Sequence, residues 1–162
     1  MDTYKELLIK RKKSLIGTIV KIVLIIIAVA FVLYPSIFGI IIAAVLVGLA
    51  YFVNLNSDIE YEYLYLDKEL SVDKIMAKSR RKKVATYDLE KVEIIASEGS
   101  HQLDSYNARS NSYKTVNFTS NGGENGYDTY VIYYEGKEKV FIEAPVEFMR
   151  AIYNNAPRKV FL

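Results

Sequence analysis

The spacing of apolar positions along this chain changes character once, near residue 54. From Leu15 to Val53 almost every position is apolar, and the only charge is Lys21. Beyond Asn54, apolar and polar residues alternate in short runs, the period-two signature of strands with one buried face. The first region covers about 39 residues, roughly 58 Å as one continuous helix, whereas the hydrocarbon core of a bilayer is only ~30 Å thick. Divided at Tyr34-Pro35-Ser36, it gives segments 15–33 and 36–53, each close to the length of one crossing. Pro35 has no N–H to contribute and disfavours helix at Tyr34, while Ser36 suits the cap of a following helix. The pattern predicts a two-helix transmembrane hairpin over 15–53 with its turn at 34–36. A cleaved secretory signal ending near Ala28-Val29-Ala30 is the rival reading. No polar segment precedes that alanine pair, and a second apolar segment follows at once, so the hairpin is preferred.

After a polar linker at 54–58, "IEYEYLYL" (59–66) places Ile59, Tyr61, Tyr63 and Tyr65 on one face and Glu60 and Glu62 on the other. "LSVDKIMAK", "RRKKVATYD" and "KVEIIA" read as three further strands. Residues 97–113 are polar and read as a loop with one helical turn, and "KTVNFTS" as a fifth strand. "NGGENG" (121–126) suits turns with positive φ, and "YDTYVIYYE" and "KEKVFIEA" form a hairpin about Gly136. In the closing segment Pro145 is expected at the first helical position of a helix over 145–155, with Val146, Met149, Ile152 and Tyr153 as its apolar stripe. The fold class expected is therefore an N-terminal transmembrane α-helical hairpin plus a mainly-β domain. That domain has two packed antiparallel sheets, about seven strands and a C-terminal capping helix.

The stretch "IEYEYLYLDKELSVDKIMAKSRRKKVATYDLEKVEII" and the closing "PVEFMRAIYNNAPRKVFL" resemble bacterial PH-like domains attached to membrane hairpins. In layout the chain is similar to a small two-span family of Gram-positive bacteria. The resemblance implies a PH-like β-domain over 59–162, related to modules that bind lipids or peptides. It carries no catalytic signature, and a shared fold names no ligand.

Charge sets the expected orientation. The part before Phe31 carries about +4 and the part after Asn54 about −2. Lys5, Lys10, Arg11, Lys12 and Lys13 precede the first span, more cations follow at 78–83, and the turn between the spans has none. The positive-inside rule then puts both termini, the basic segment 1–14 and the β-domain in the cytoplasm of a bacterium, with the hairpin in its cytoplasmic membrane. Lys21 can snorkel to the same interface, with no intramembrane partner of opposite charge. A mildly acidic domain is poor material for a phosphate backbone, which argues against nucleic acid. The lack of cysteine excludes disulfides, thiolate chemistry and Cys-based zinc sites.

No constellation for catalysis emerges. Ser71 and Lys74 have S-x-x-K spacing, but on a strand three steps send them to opposite faces. His101 has only Glu98 and Asp104 near it, short of a metal-ligand set. The expectation is no catalytic residue, no metal and no cofactor. Two features remain. "KSRRKK" brings Lys78, Arg80, Arg81, Lys82 and Lys83 to one bend, either as a contact for anionic lipid or an acidic partner, or as a solvated tip guarded against edge pairing. In the second span Gly39, Ala43, Ala44 and Gly48 form small-xxx-small pairs, for packing within the hairpin or against another membrane protein or a second copy. The function expected is that of a non-enzymatic membrane protein presenting its PH-like domain to anionic lipid headgroups or a protein partner. The alternative is a structural or regulatory subunit of a larger membrane complex assembled through the hairpin.

Overall fold

The computed structural model describes residues 4–34, 36–109, 112–122 and 125–162. Two compact units make up the described chain: Lys12–Ile59 with Ile75–Arg81, and the remainder. In the first, helix α1 spans Leu15–Leu33 and helix α2 spans Ile37–Ser57. Pro35, on which the predicted turn rests, lies outside the described residues. Ser14 Oγ caps α1 by accepting the Gly17 N–H at 3.1 Å.

The helices run antiparallel along a seam of small residues, with Ala28 of α1 and Gly39, Ala43 and Ala50 of α2 buried. Glycine sets the approach at both ends. A Cβ at Gly39 would stand 2.8 Å from the Phe31 carbonyl oxygen, and one at Gly17 would collide with Ser57 Oγ.

α2 runs further than predicted. It absorbs residues 54–57 of the expected linker and leaves only Asp58 outside it. The reason is local: Asn56 Nδ2 and Ser57 Oγ donate back to the carbonyls of Phe52 and Val53, at 3.1 and 2.7 Å, so these polar side chains are satisfied in helical conformation. Asn54 instead accepts from Lys21 Nζ at 3.2 Å. Lys21 therefore has a partner on the facing helix, an amide rather than a charge.

The basic segment 1–14, for which no secondary structure was predicted, contains a strand. Strand β1 (Lys5–Lys10) pairs antiparallel with β2 (Ile59–Leu66), so the two helices are inserted between neighbouring strands of one sheet. With β3 (Glu69–Met76) and β4 (Arg80–Asp88), the order is β1-β2-β3-β4. The period-two signal was present in "KELLIK": Leu7 and Ile9 face inward opposite Tyr63 and Tyr61, and Ile9 is fully buried.

The second sheet contains β5 (Val92–Ser97), β6 (Lys114–Asn117), β7 (Asp128–Tyr134), β8 (Glu138–Ala144) and β9 (Val160–Phe161), in the order β6-β8-β7-β5-β9. Two of its pairings, β5 with β9 and β6 with β8, are parallel, so it is mixed rather than antiparallel. The architecture is as expected in outline, with nine strands among the described residues where seven were predicted.

Tyr63, Leu70, Val72, Ile95, Ile132, Ile142 and Met149 are fully or almost fully buried. The amphipathic helix α4 (Val146–Asn155) buries Phe148, Met149, Ala151 and Ile152; it starts one position after the predicted start, with Pro145 as its N-cap. Buried tyrosine hydroxyls find partners: Tyr63 donates to the Phe118 carbonyl at 2.8 Å, and Tyr65 accepts from Asn155 at 2.6 Å. Glu60 and Glu62, on the opposite face of β2, are buried too, with Lys10 and Leu8 of β1 directly across from them.

The described part of segment 97–113, read as a polar loop with one helical turn, covers a second apolar cluster. A 3-10 turn at His101–Leu103 and the short helix α3 (Asp104–Asn107) bring Leu103 and Tyr106 against Ile94, Ala96, Val131 and Tyr133. Four apolar residues, Leu103, Tyr106, Ala108 and Tyr113, scattered among polar ones left no period for the sequence to show.

Candidate functional site

β3 and β4 are joined by a tight turn in which Ala77 and Lys78 adopt left-handed backbone, with φ of 47° and 55°. The Ala77 N–H donates to the Asp58 carbonyl at 2.7 Å, and Asp58 is the C-cap of α2. The Asp58 carboxylate in turn pairs with Lys13 Nζ at 3.1 Å, just before α1. Within the helical unit, therefore, the cationic turn is fastened to the open end of the hairpin, where both helices begin or finish. Lys78 and Arg80 are exposed there, as are Lys12 and Lys13, which the sequence reading used only for orientation. Arg81, Lys82 and Lys83 continue the exposed run along β4. The sequence showed the cations, but not that one hydrogen bond anchors their turn to a helix end.

The four small residues of α2 separate into two pairs. Gly39 and Ala43 are buried against α1, whereas Ala44 is exposed and a Cβ at Gly48 would meet nothing within 4 Å in the described chain. Both helices are long and apolar enough to cross a membrane.

The His101 side chain is fully exposed, with Nδ1 at 3.4 Å from Asp104 Oδ2. Among the described residues no group of three or more His, Cys, Asp or Glu could hold a metal. Ser71, on strand β3, has its hydroxyl 3.5 Å from that of Thr86.

Two cavities escaped the sequence. One, of about 280 Å³, lies beside Lys68, Leu89 and the 155–159 segment, where Lys159 Nζ is held by the carbonyls of Leu89 and Glu90 at 2.9 and 2.6 Å. The other, of about 320 Å³, separates β4 from β6 and the β7–β8 hairpin. At its edge the Tyr87 hydroxyl reaches Glu138 Oε2 at 3.5 Å, and the rings of Tyr87 and Tyr134 meet edge to face at 5.1 Å. Burial, reinforced by the Glu138 charge, raises the Tyr87 pKa far above that of a free phenol. The hydrogen bond from Lys91, at 3.0 Å, holds Glu135 below the usual carboxylate range. Neither cavity has a sequence motif, because strand order within a sheet decides which residues line a gap between sheets.

Comparison with known proteins agrees with this architecture. Searches of curated proteins and of solved structures gave no match. The family model described as bacterial PH-like domain (DUF6106) matches residues 1–162, helices and strands together, and the chain belongs to that family.

Proposed function

We infer that this protein is a non-enzymatic membrane protein whose PH-like domain is held at the bilayer surface and gathers anionic lipid headgroups around its basic turn. The observation that carries this reading is the Ala77–Asp58 hydrogen bond of 2.7 Å, which ties the turn to the end of α2. If the helices cross a membrane, that end marks the interface, and Lys78, Arg80 and Arg81 stand within reach of headgroups. Each cation so placed contributes about 1 kcal/mol on an anionic leaflet, fading over a Debye length of ~10 Å. The pairing of β1 with β2 supports an even number of crossings, since residues 5–10 and 59–66 share one sheet and hence one compartment. The positive-inside rule makes that compartment the cytoplasm.

The test uses the full chain in vesicles, with a donor fluorophore on Ser79→Cys. Energy transfer to headgroup-labelled phosphatidylglycerol should exceed transfer to phosphatidylcholine labelled in the same way, and Lys78→Glu/Arg80→Glu should abolish the difference. Equal transfer to both lipids in the parent protein would end the lipid reading. A second reading, a subunit assembled through the hairpin, is favoured by the outward-facing Ala44 and Gly48, which leave room for another helix. Gly48→Leu should then remove co-purifying membrane partners.

A further inference from the structure

The geometry points to the cleft between β4 and β6 as a docking site for an acidic, extended peptide segment of a partner protein, taken up as an added strand along β4. β4 closes one side of the four-stranded sheet and β6 one side of the five-stranded sheet, so among the described residues each presents an edge without a sheet partner. These two edges flank the same cavity of about 320 Å³. Its apolar lining is Val84 from β4, Val116 and Phe118 from β6 and beyond, and Tyr134 from β7; Val84 is 39% exposed. A strand laid on β4 would gain main-chain hydrogen bonds from the edge and direct alternate side chains into this lining.

Charge selects the occupant. The carboxylates that line the cleft are already engaged: Glu138 by Lys114 at 3.9 Å and by the Tyr87 hydroxyl, and Glu135 by Lys91 at 3.0 Å and Lys137 at 3.5 Å. Lys82 and Lys83 are exposed on β4 just before Val84, and they leave the approach to the cleft cationic. An acidic strand matches this pattern. A second copy of β4 would bring its own cations against these and be repelled.

The experiment uses the full chain in zwitterionic nanodiscs, titrated against a fluorescein-labelled heptapeptide of alternating Glu and Val. Anisotropy should rise saturably, and binding should weaken at least about tenfold with a Lys/Val peptide or on Val84→Asp. A Glu/Val peptide with a central proline keeps the charge but cannot complete the ladder, and it should not bind. Equal binding of the proline peptide would overturn strand addition in favour of plain charge attraction. Peptide binding lost to anionic lipid at equal strength with and without proline would assign the cations to the membrane instead. No peptide binding, with a dimer that Val84→Asp dissociates, would assign the edge to self-association and also overturn the proposal.

Discussion

Tyr87 illustrates how a single side chain can couple packing to pH. Its side chain is buried between the sheets, against Glu138 and the Tyr134 ring, and burial raises its pKa above the reference value of 10.0. A raised pKa means that the folded state holds the proton more tightly than the unfolded chain. The stability so gained is complete below the unfolded value, and it is lost as pH rises through the folded one. Thermal unfolding of the full chain in micelles, followed by far-ultraviolet circular dichroism from about pH 8 to about pH 11, should therefore show a falling midpoint. Tyr87→Phe should lessen that fall without removing it, because burial also raises the Tyr63 pKa, while costing about 1 kcal/mol or less at neutral pH, since the hydrogen bond it removes is long. Ile9 is the complementary case, because no charge is involved. It is fully buried, and Ile9→Ala should cost about 2–5 kcal/mol, measured as a drop in the same midpoint.

Among the elements, β1 and α2 give the sharpest expectations. β1 supplies Leu7 and Ile9 to the core and covers one edge of β2. Removing residues 4–10 should expose that edge and turn a folded domain into one that aggregates or loses protease resistance. A fragment beginning at residue 59 should fail in the same way, although it contains every strand the alternation after Asn54 predicts. In α2 two glycines with the same sequence signal part ways. Gly39→Leu meets the Phe31 carbonyl and should disrupt the hairpin, read as faster proteolysis in micelles, whereas Gly48→Leu meets nothing and should leave it intact. The small-xxx-small spacing was legible for both. Which pair faces α1 was not, because that depends on the rotation of one helix against the other.

For the whole molecule the decisive expectation is topological. The chain has no cysteine, so single reporters such as Glu6→Cys and Asp128→Cys can be labelled without background. In intact protoplasts both should resist a membrane-impermeant maleimide, and both should react once the membrane is opened. Labelling of one but not the other would contradict the β1–β2 pairing. Labelling of both in intact cells would reverse the orientation while preserving it.

What the sequence determined by itself was everything governed by local periodicity: two apolar helices, most of the strands after Asn54, the amphipathic α4 and the cationic bend. Those features need only the spacing of neighbours along the chain and the thickness of a bilayer. Tertiary structure decided the rest. It recruited "KELLIK" across 50 to 60 positions of sequence into the first sheet, packed a polar-looking loop over a second apolar cluster, and tied the basic turn to the end of α2. These outcomes depend on contacts between segments distant in sequence, and such contacts follow from which surfaces remain to be buried once the local elements have formed.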